Sequence, residues 1–218
     1  MNRYKYKLLI FDFDGTLAAT EPAIQFCMKA AFEEYGLTPP PEKSVREAIG
    51  IPLNRMIAGL GGLDDETAQT VTDIYRKYYK REGMEMTKLF PSALSTVEAL
   101  RGRGYKTAVI SNKNHEVVHK SVEVTGLMPF FDLVAGEKGG QFQKPHPQAF
   151  TDIIVPGFGV DASDCLMIGD AVQDTGFALN CGMDAAWASY GFGNETECMN
   201  KNVKFVLNDI SELTDILG

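Results

Sequence analysis

Short apolar runs alternate with stretches of helical spacing along most of this chain. Six runs have the length and aliphatic content of buried strands: Lys7–Phe11, Thr107–Ile110, Leu133–Ala135, Cys165–Ile168, Ala185–Ala188 and Lys204–Leu207. Near-continuous hydrophobicity, rather than in–out alternation, is what strands covered on both faces require. Between most of them lie segments of helical periodicity: Ala93–Arg101, Glu116–Thr125, Pro147–Ile154, Thr175–Asn180 and, at the end, Glu212–Leu217. The alternation predicts an α/β fold, a parallel sheet with helices on both faces.

One interval breaks the pattern. From Glu21 to about Glu85 no strand is legible, only helical spacing. Glu21-Pro22 opens a helix with proline in its first turn, and Ile24, Met28, Ala31, Phe32 and Tyr35 fall on one face until Gly36 stops it. A Pro39–Pro41 turn follows, then helical segments Val45–Ile49, Leu53–Leu60 and Asp64–Arg81, the last with an acidic first turn that suits the helix dipole. Such a block, about 65 residues long, exceeds an ordinary crossover connection. It predicts an inserted all-helical subdomain over residues 18–85, with the α/β core formed by 1–17 and 86–218. No internal repeat or low-complexity stretch is visible.

Composition narrows the function classes. A chain of 218 residues fits one large domain or a domain with an insert, and 44% hydrophobic residues exclude intrinsic disorder. Lys and Arg total 21 against 29 Asp and Glu, a net charge of −8, which counts against nucleic acid or an anionic membrane as partner. A small anionic substrate stays open, because local cations or a metal can reverse the field inside one cleft. Arg3, Lys5 and Lys7 precede an apolar run, but Asp12 and Asp14 interrupt it too early for a leader or a membrane span. Cys27, Cys165, Cys181 and Cys198 form no CxxC pair, so a reduced, cytoplasmic setting is expected.

The densest chemistry lies in Leu8-Leu9-Ile10-Phe11-Asp12-Phe13-Asp14-Gly15-Thr16-Leu17. A buried strand ends and two carboxylates follow two residues apart, where ligands of open α/β sheets sit. Gly15 permits a tight turn, and Thr16 offers a hydroxyl and an amide to an anion. The run Asp12-Phe13-Asp14-Gly15-Thr16 resembles the DxDGT motif of the haloacid dehalogenase superfamily, specifically its phosphatase branch. The resemblance implies a Rossmann-like core, with Asp12 as the nucleophile that becomes an aspartyl-phosphate. Asp14 would protonate the leaving oxygen and then activate water.

Three further segments match in the family's order. Thr107–Lys113 ends a strand with Ser111, implied to hydrogen-bond a phosphoryl oxygen with help from the Asn112 amide. Gln143-Lys144-Pro145-His146-Pro147 resembles the KPxP motif, whose lysine, here Lys144, neutralises nucleophile and phosphate. Gly169-Asp170-Ala171-Val172-Gln173-Asp174 resembles GDxxxD. By the resemblance, Mg²⁺ is held by the Asp12 carboxylate, the Asp14 backbone carbonyl and the Asp170 carboxylate, with Asp174 orienting or supplementing that ligation. Gathering four carboxylates without a cation would raise their pKa values and cost stability, and an all-oxygen site suits Mg²⁺.

The helical block stands where the family inserts a cap over the cleft. Ile49–Arg55 resembles the cap segment that faces the active site in phosphoglycolate phosphatase-like members. Arg46 and Arg55 are candidates for reading a second anionic group on the substrate, or are exposed helix arginines. The expected function is a Mg²⁺-dependent phosphatase acting on a small phosphorylated metabolite of the phosphoglycolate kind, as monomer or homodimer. The alternatives are a β-phosphoglucomutase-type mutase, disfavoured by Leu53 where mutases place arginine; a pyrophosphatase or nucleotidase; and an inactive binding module of the same fold. Dehalogenases lack the acid that Asp14 represents. Ala18-Ala19-Thr20-Glu21 departs from the common DGTLxDS continuation, which weakens any transfer of substrate identity. His115 and His119, spaced i, i+4, lack a third ligand and read as surface residues; His146 has no assigned role. Gly191-Phe192-Gly193 stops short of a dinucleotide fingerprint, and no helix is legible after it. The Walker A sequence of P-loop nucleotide hydrolases is absent. Trp187 reads as core or partner surface.

Overall fold

The computed structural model describes residues 6–199 and 203–218, so Arg3 and Lys5 lie outside the described residues. Six strands, β1 (Leu8–Phe11), β2 (Lys106–Asn114), β3 (Leu133–Glu137), β4 (Cys165–Gly169), β5 (Asp184–Ala188) and β6 (Val203–Leu207), form one sheet in the order β3-β2-β1-β4-β5-β6. Every pairing is parallel. All six expected strands are present. β1 lies at the centre, between β2 and β4, where chain direction across the sheet reverses; that switch point opens a crevice beyond the strand C-termini.

The central strands β1 and β4 are buried on both faces, as their unbroken hydrophobic runs require, whereas edge strand β6 leaves Lys204 and Val206 exposed. In β1, Leu9 and Phe11 point into one apolar cluster, and Leu8 and Ile10 into another. The first cluster takes helices α6 (Ala93–Gly102), α7 (His115–Val124) and α11 (Glu212–Leu217) against the sheet. The second takes α8 (Val155–Phe158), the wide turn Phe150–Ile154 before it, and α9 (Val172–Cys181).

Three elements differ from expectation. β2 runs to Asn114 rather than ending at Ile110, because its polar tail still pairs with β3 across a register shift between Ser111 and Asn114. The helix expected over Pro147–Ile154 forms instead as a π turn, Phe150–Ile154, continued by α8. Pro156 in α8 has no N–H to give, and the widened turn stands directly ahead of it. A short helix, α10 (Glu195–Met199), does follow Gly193; its five residues carry too little periodicity to read.

Between β1 and β2 the chain forms α1 (Glu21–Tyr35), α2 (Glu42–Glu47), α3 (Leu53–Gly61), α4 (Asp65–Tyr78), a π turn Tyr79–Gly83 and α5 (Met84–Met86). Their apolar faces make a third cluster around Met28, Phe32, Ile57, Val71 and Tyr75. Asp64 caps α4 by accepting from Thr67 N–H at 2.8 Å. The two connections joining this block to the sheet run antiparallel and bond to each other: Ala19 N–H donates to Lys88 O at 2.8 Å, and Phe90 N–H to Leu17 O at 3.0 Å.

Candidate active site

The C-terminal ends of β1, β2 and β4 bring the four motifs into one place. Asp12 follows β1 directly, anchored by its N–H to Ile168 O at 2.9 Å. Lys144, its side chain 1% exposed, donates to Asp12 Oδ1 at 2.8 Å, Asp174 Oδ1 at 2.6 Å and Ile110 O at 2.6 Å. Those three acceptors match the three donors of an ammonium. Asn112 holds the lysine's backbone: it accepts from Lys144 N–H at 2.7 Å and donates to Lys144 O at 2.9 Å. Asp174 serves two ends, since its Oδ2 accepts the Ala171 N–H at 2.9 Å and so caps α9.

Asp170 lies beside them, accepting from Thr16 Oγ1 at 2.8 Å and from Phe192 N–H at 2.8 Å. Trp187 donates its indole N–H to Asp170 O at 2.7 Å, so that ring is core with a polar duty at this loop. Gly15, at φ +82°, passes so close that a Cβ would lie 2.3 Å from Asp170 Oδ2. Only glycine meets both conditions.

Asp12, Asp170 and Asp174 place carboxylate oxygens within 4.8 Å of one another, the only group of three or more metal-ligating side chains among the described residues. Burial pushes the Asp12 carboxyl up to about 6; Lys144 opposes that rise, while Asp174 and Asp14 add to it. Burial, with Asp174 and Asp12 nearby, drives Asp170 well above the usual carboxylate range. With all three carboxylates ionised against the Lys144 ammonium, the cluster carries two negative charges, the complement of one divalent cation. An all-oxygen donor set of this charge fits a hard ion, so the residues present suit a metal.

The Asp14 carboxylate is outside that group. Both its oxygens face Lys113 Nζ, at 2.9 and 3.1 Å, making a neutral pair. Lys113 also lies 4.5 Å from the ring centroid of Tyr79, in the helical block. Burial lowers the Lys113 pKa, but Asp14 and Tyr79 outweigh it and the net shift is upward. The sequence assigns Lys113 no role, because its pairing is with a residue 99 positions away, which no local pattern encodes.

A cavity of about 930 Å³ opens above these groups. Asp12, Asp14, Ser111, Asn112, Lys144 and Asp174 line its floor, and Ile49–Met56 with Tyr75 and Tyr79 line its roof. The Ser111 hydroxyl accepts from Lys113 N–H at 3.2 Å. Thr16 is fully buried with its hydroxyl spent on Asp170, and it does not line the cavity. Arg55 lines the cavity. Arg46 does not: it pairs with Glu21, donates to Gly191 O at 3.0 Å and stacks over Phe192 at 5.2 Å. It is therefore neither a cavity cation nor a free surface one. His146 is exposed and caps Gln148 N–H through Nδ1 at 3.1 Å. His115 is half-buried and accepts from Gly136 N–H at 3.3 Å. No helix among the described residues is long and apolar enough to cross a membrane.

A parallel sheet with a buried acid–lysine centre at its switch point is the framework of a phosphoryl-transfer hydrolase. The chain belongs to the haloacid dehalogenase-like hydrolase family, whose model matches residues 9–188, and is an enzyme of its phosphoglycolate phosphatase-like branch. It is 26% identical to phosphoglycolate phosphatase of Vibrio parahaemolyticus over 100% of this chain and 99% of that one. Against the phosphoglycolate phosphatase of Rhodospirillum rubrum, identity is 30%, over 97% and 91%. Among solved structures, a haloacid dehalogenase-like family hydrolase from Streptococcus pneumoniae superposes with TM-score 0.87 at 23% identity, covering 98% of this chain and 99% of that one, a likeness of fold.

Proposed function

We propose that the protein is a Mg²⁺-dependent phosphatase that hydrolyses a small phosphomonoester through an aspartyl-phosphate on Asp12. The observation that carries the reading is the buried Lys144 ammonium between Asp12 and Asp174, with Asp170 alongside, at the floor of a cavity. Phosphoryl transfer needs positioning and charge neutralisation more than covalent machinery, and that is what this arrangement offers.

An Asp12 carboxylate oxygen attacks phosphorus as the bond to the leaving oxygen breaks, and Asp14, released from its ion pair with Lys113 and protonated before this step, gives that oxygen its proton. The ionised Asp14 then takes a proton from water, whose oxygen attacks the same phosphorus and returns Asp12 as inorganic phosphate leaves. Lys144 keeps positive charge against Asp12 throughout, and Ser111 with the Asn112 amide orients phosphoryl oxygens. Thr16 acts through Asp170, holding that carboxylate rather than the substrate. Asp12, Asp170 and the Asp14 carbonyl, with Asp174 in support, would hold Mg²⁺, which when bound neutralises charge on the nucleophile and phosphoryl group. Residues 18–85 act as a cap that sets which phosphomonoester fits.

Phosphoglycolate, the substrate in the relatives' names, is the first compound to try. The cavity has room for larger ones, so sugar phosphates, nucleotides and pyrophosphate belong in the same panel. Phosphate release should require Mg²⁺, cease with EDTA, and fall at least about a thousandfold in Asp12→Asn with the fold intact. Near-normal turnover in folded Asp12→Asn would remove Asp12 as nucleophile.

A further inference from the structure

Arg46 and Asp170 are joined by one peptide unit. The Gly191–Phe192 peptide accepts a hydrogen bond from Arg46 through the Gly191 carbonyl and donates one to Asp170 Oδ2 through the Phe192 N–H. A trans peptide is planar, with its C=O and N–H pointing in opposite directions, so neither end turns without the other. The Arg46 side chain also lies over the Phe192 ring, and Glu21 at the start of α1 holds its other nitrogen. On the far side, Gly191 packs flush against Asp170: a Cβ there would meet Asp170 Cβ at 2.3 Å and Gly15 O at 2.5 Å. With no side chain at 191 to resist rotation, the peptide plane depends on what grips its two ends.

We propose that Arg46 is a positioning residue: from the helical block it fixes the Gly191–Phe192 peptide and thereby aims Asp170 for metal binding. This rests on the reading of Asp170 as a metal ligand. A cationic donor on the carbonyl polarises the peptide and strengthens its N–H as a donor, so seating the block also tightens the bond to Asp170. Closure over the cavity and readiness of the metal site are then linked through two residues, with no contact between Arg46 and substrate.

The test compares the full-length protein with Arg46→Met and Arg46→Lys. Two quantities are read: the Mg²⁺ concentration for half-maximal phosphate release, and the rise in melting temperature on adding Mg²⁺ without substrate. Partners that orient a metal ligand typically change metal affinity by about ten- to a hundredfold, and a shift of roughly tenfold is expected for Arg46→Met. Its Mg²⁺-induced rise in melting temperature should shrink accordingly. Arg46→Lys, which keeps a cationic donor for the Gly191 carbonyl, should recover much of both. If Arg46 only glues the block down, Arg46→Met raises KM while both Mg²⁺ responses stay at wild-type values, and the proposal is overturned. A wild-type protein that responds to Mg²⁺ in neither assay would instead overturn the metal-site reading itself.

Discussion

At Lys144 three acceptors converge on one ammonium that is almost fully buried beneath the cavity floor. Burial depresses its pKa, but Asp12 and Asp174 outweigh that and the net shift is upward. A lysine so raised contributes its full pairing energy below the ordinary lysine pKa near 10.4, and loses it only above the folded value. The ammonium is therefore charged through neutral and mildly alkaline pH, and it is the Asp12 side of the pair that is lost as pH falls through about 6. Replacing Lys144 by Met keeps the length and removes the charge, leaving two buried carboxylates without a counter-ion. Urea unfolding in EDTA at pH 8 should show a loss of about 3–5 kcal/mol; a loss under about 1 kcal/mol would mean the pair is solvated rather than buried. Asp12, Asp14, Ser111, Lys144, Asp170 and Asp174 are singled out in the sequence by the resemblance of four short runs to the family's motifs, and the fold gathers those runs at one end of the sheet. Lys113 and Arg46 were not assignable, since a lysine or arginine declares its partner only when the chain folds.

Among the elements, the turn after β1 carries the tightest steric demand. Gly15 combines positive φ with contact against Asp170, so Gly15→Ala meets backbone strain and a clash together. The variant should lose at least about 2 kcal/mol of stability, and its Mg²⁺-induced rise in melting temperature should vanish because the methyl group displaces Asp170. An unchanged Mg²⁺ response would show that the turn can shift without disturbing the carboxylate. Strand existence was legible throughout, as long aliphatic runs have few other uses. What escaped were ends and irregularities. The polar tail of β2 looks like a loop in sequence because its side chains serve the cavity floor, yet its backbone still pairs. α10 is too short for periodicity, and the loop before it bonds to Asp170 through a peptide N–H, which no residue type announces.

Across the whole molecule all four thiols are free: Cys27 lies in the helical block's apolar cluster, Cys165 in one of the sheet's, with half-buried Cys181 against it, and Cys198 is buried beside the Asp170 carbonyl. Burial, the largest cause in each case, pushes Cys27, Cys165, Cys181 and Cys198 up to about 12. An acid raised in this way stabilises the fold fully below its ordinary pKa, near 8.5, and loses that contribution as pH climbs toward 12. Melting temperature should therefore decline over that alkaline interval. At pH 8, Ellman's reagent should react slowly with the native protein, beginning with half-buried Cys181, and rapidly with all four thiols in denaturant. Two or more thiols reacting at the free-cysteine rate in the native state would contradict the packing described.

The paired connections at Leu17–Ala19 and Lys88–Phe90 give the molecule a further property. Because the outgoing and returning strands leave the sheet as bonded neighbours, the core meets the helical block at a single doorway rather than at two distant points. Any folded segment whose ends approach to roughly the 4.8 Å spacing of adjacent strands would satisfy that doorway without rerouting β1 or β2. The chain is thus written like a sentence with a parenthesis. The clause outside it holds the acid–lysine centre, and the geometry of the doorway lets the words inside be exchanged while the grammar of the sheet stays as it is.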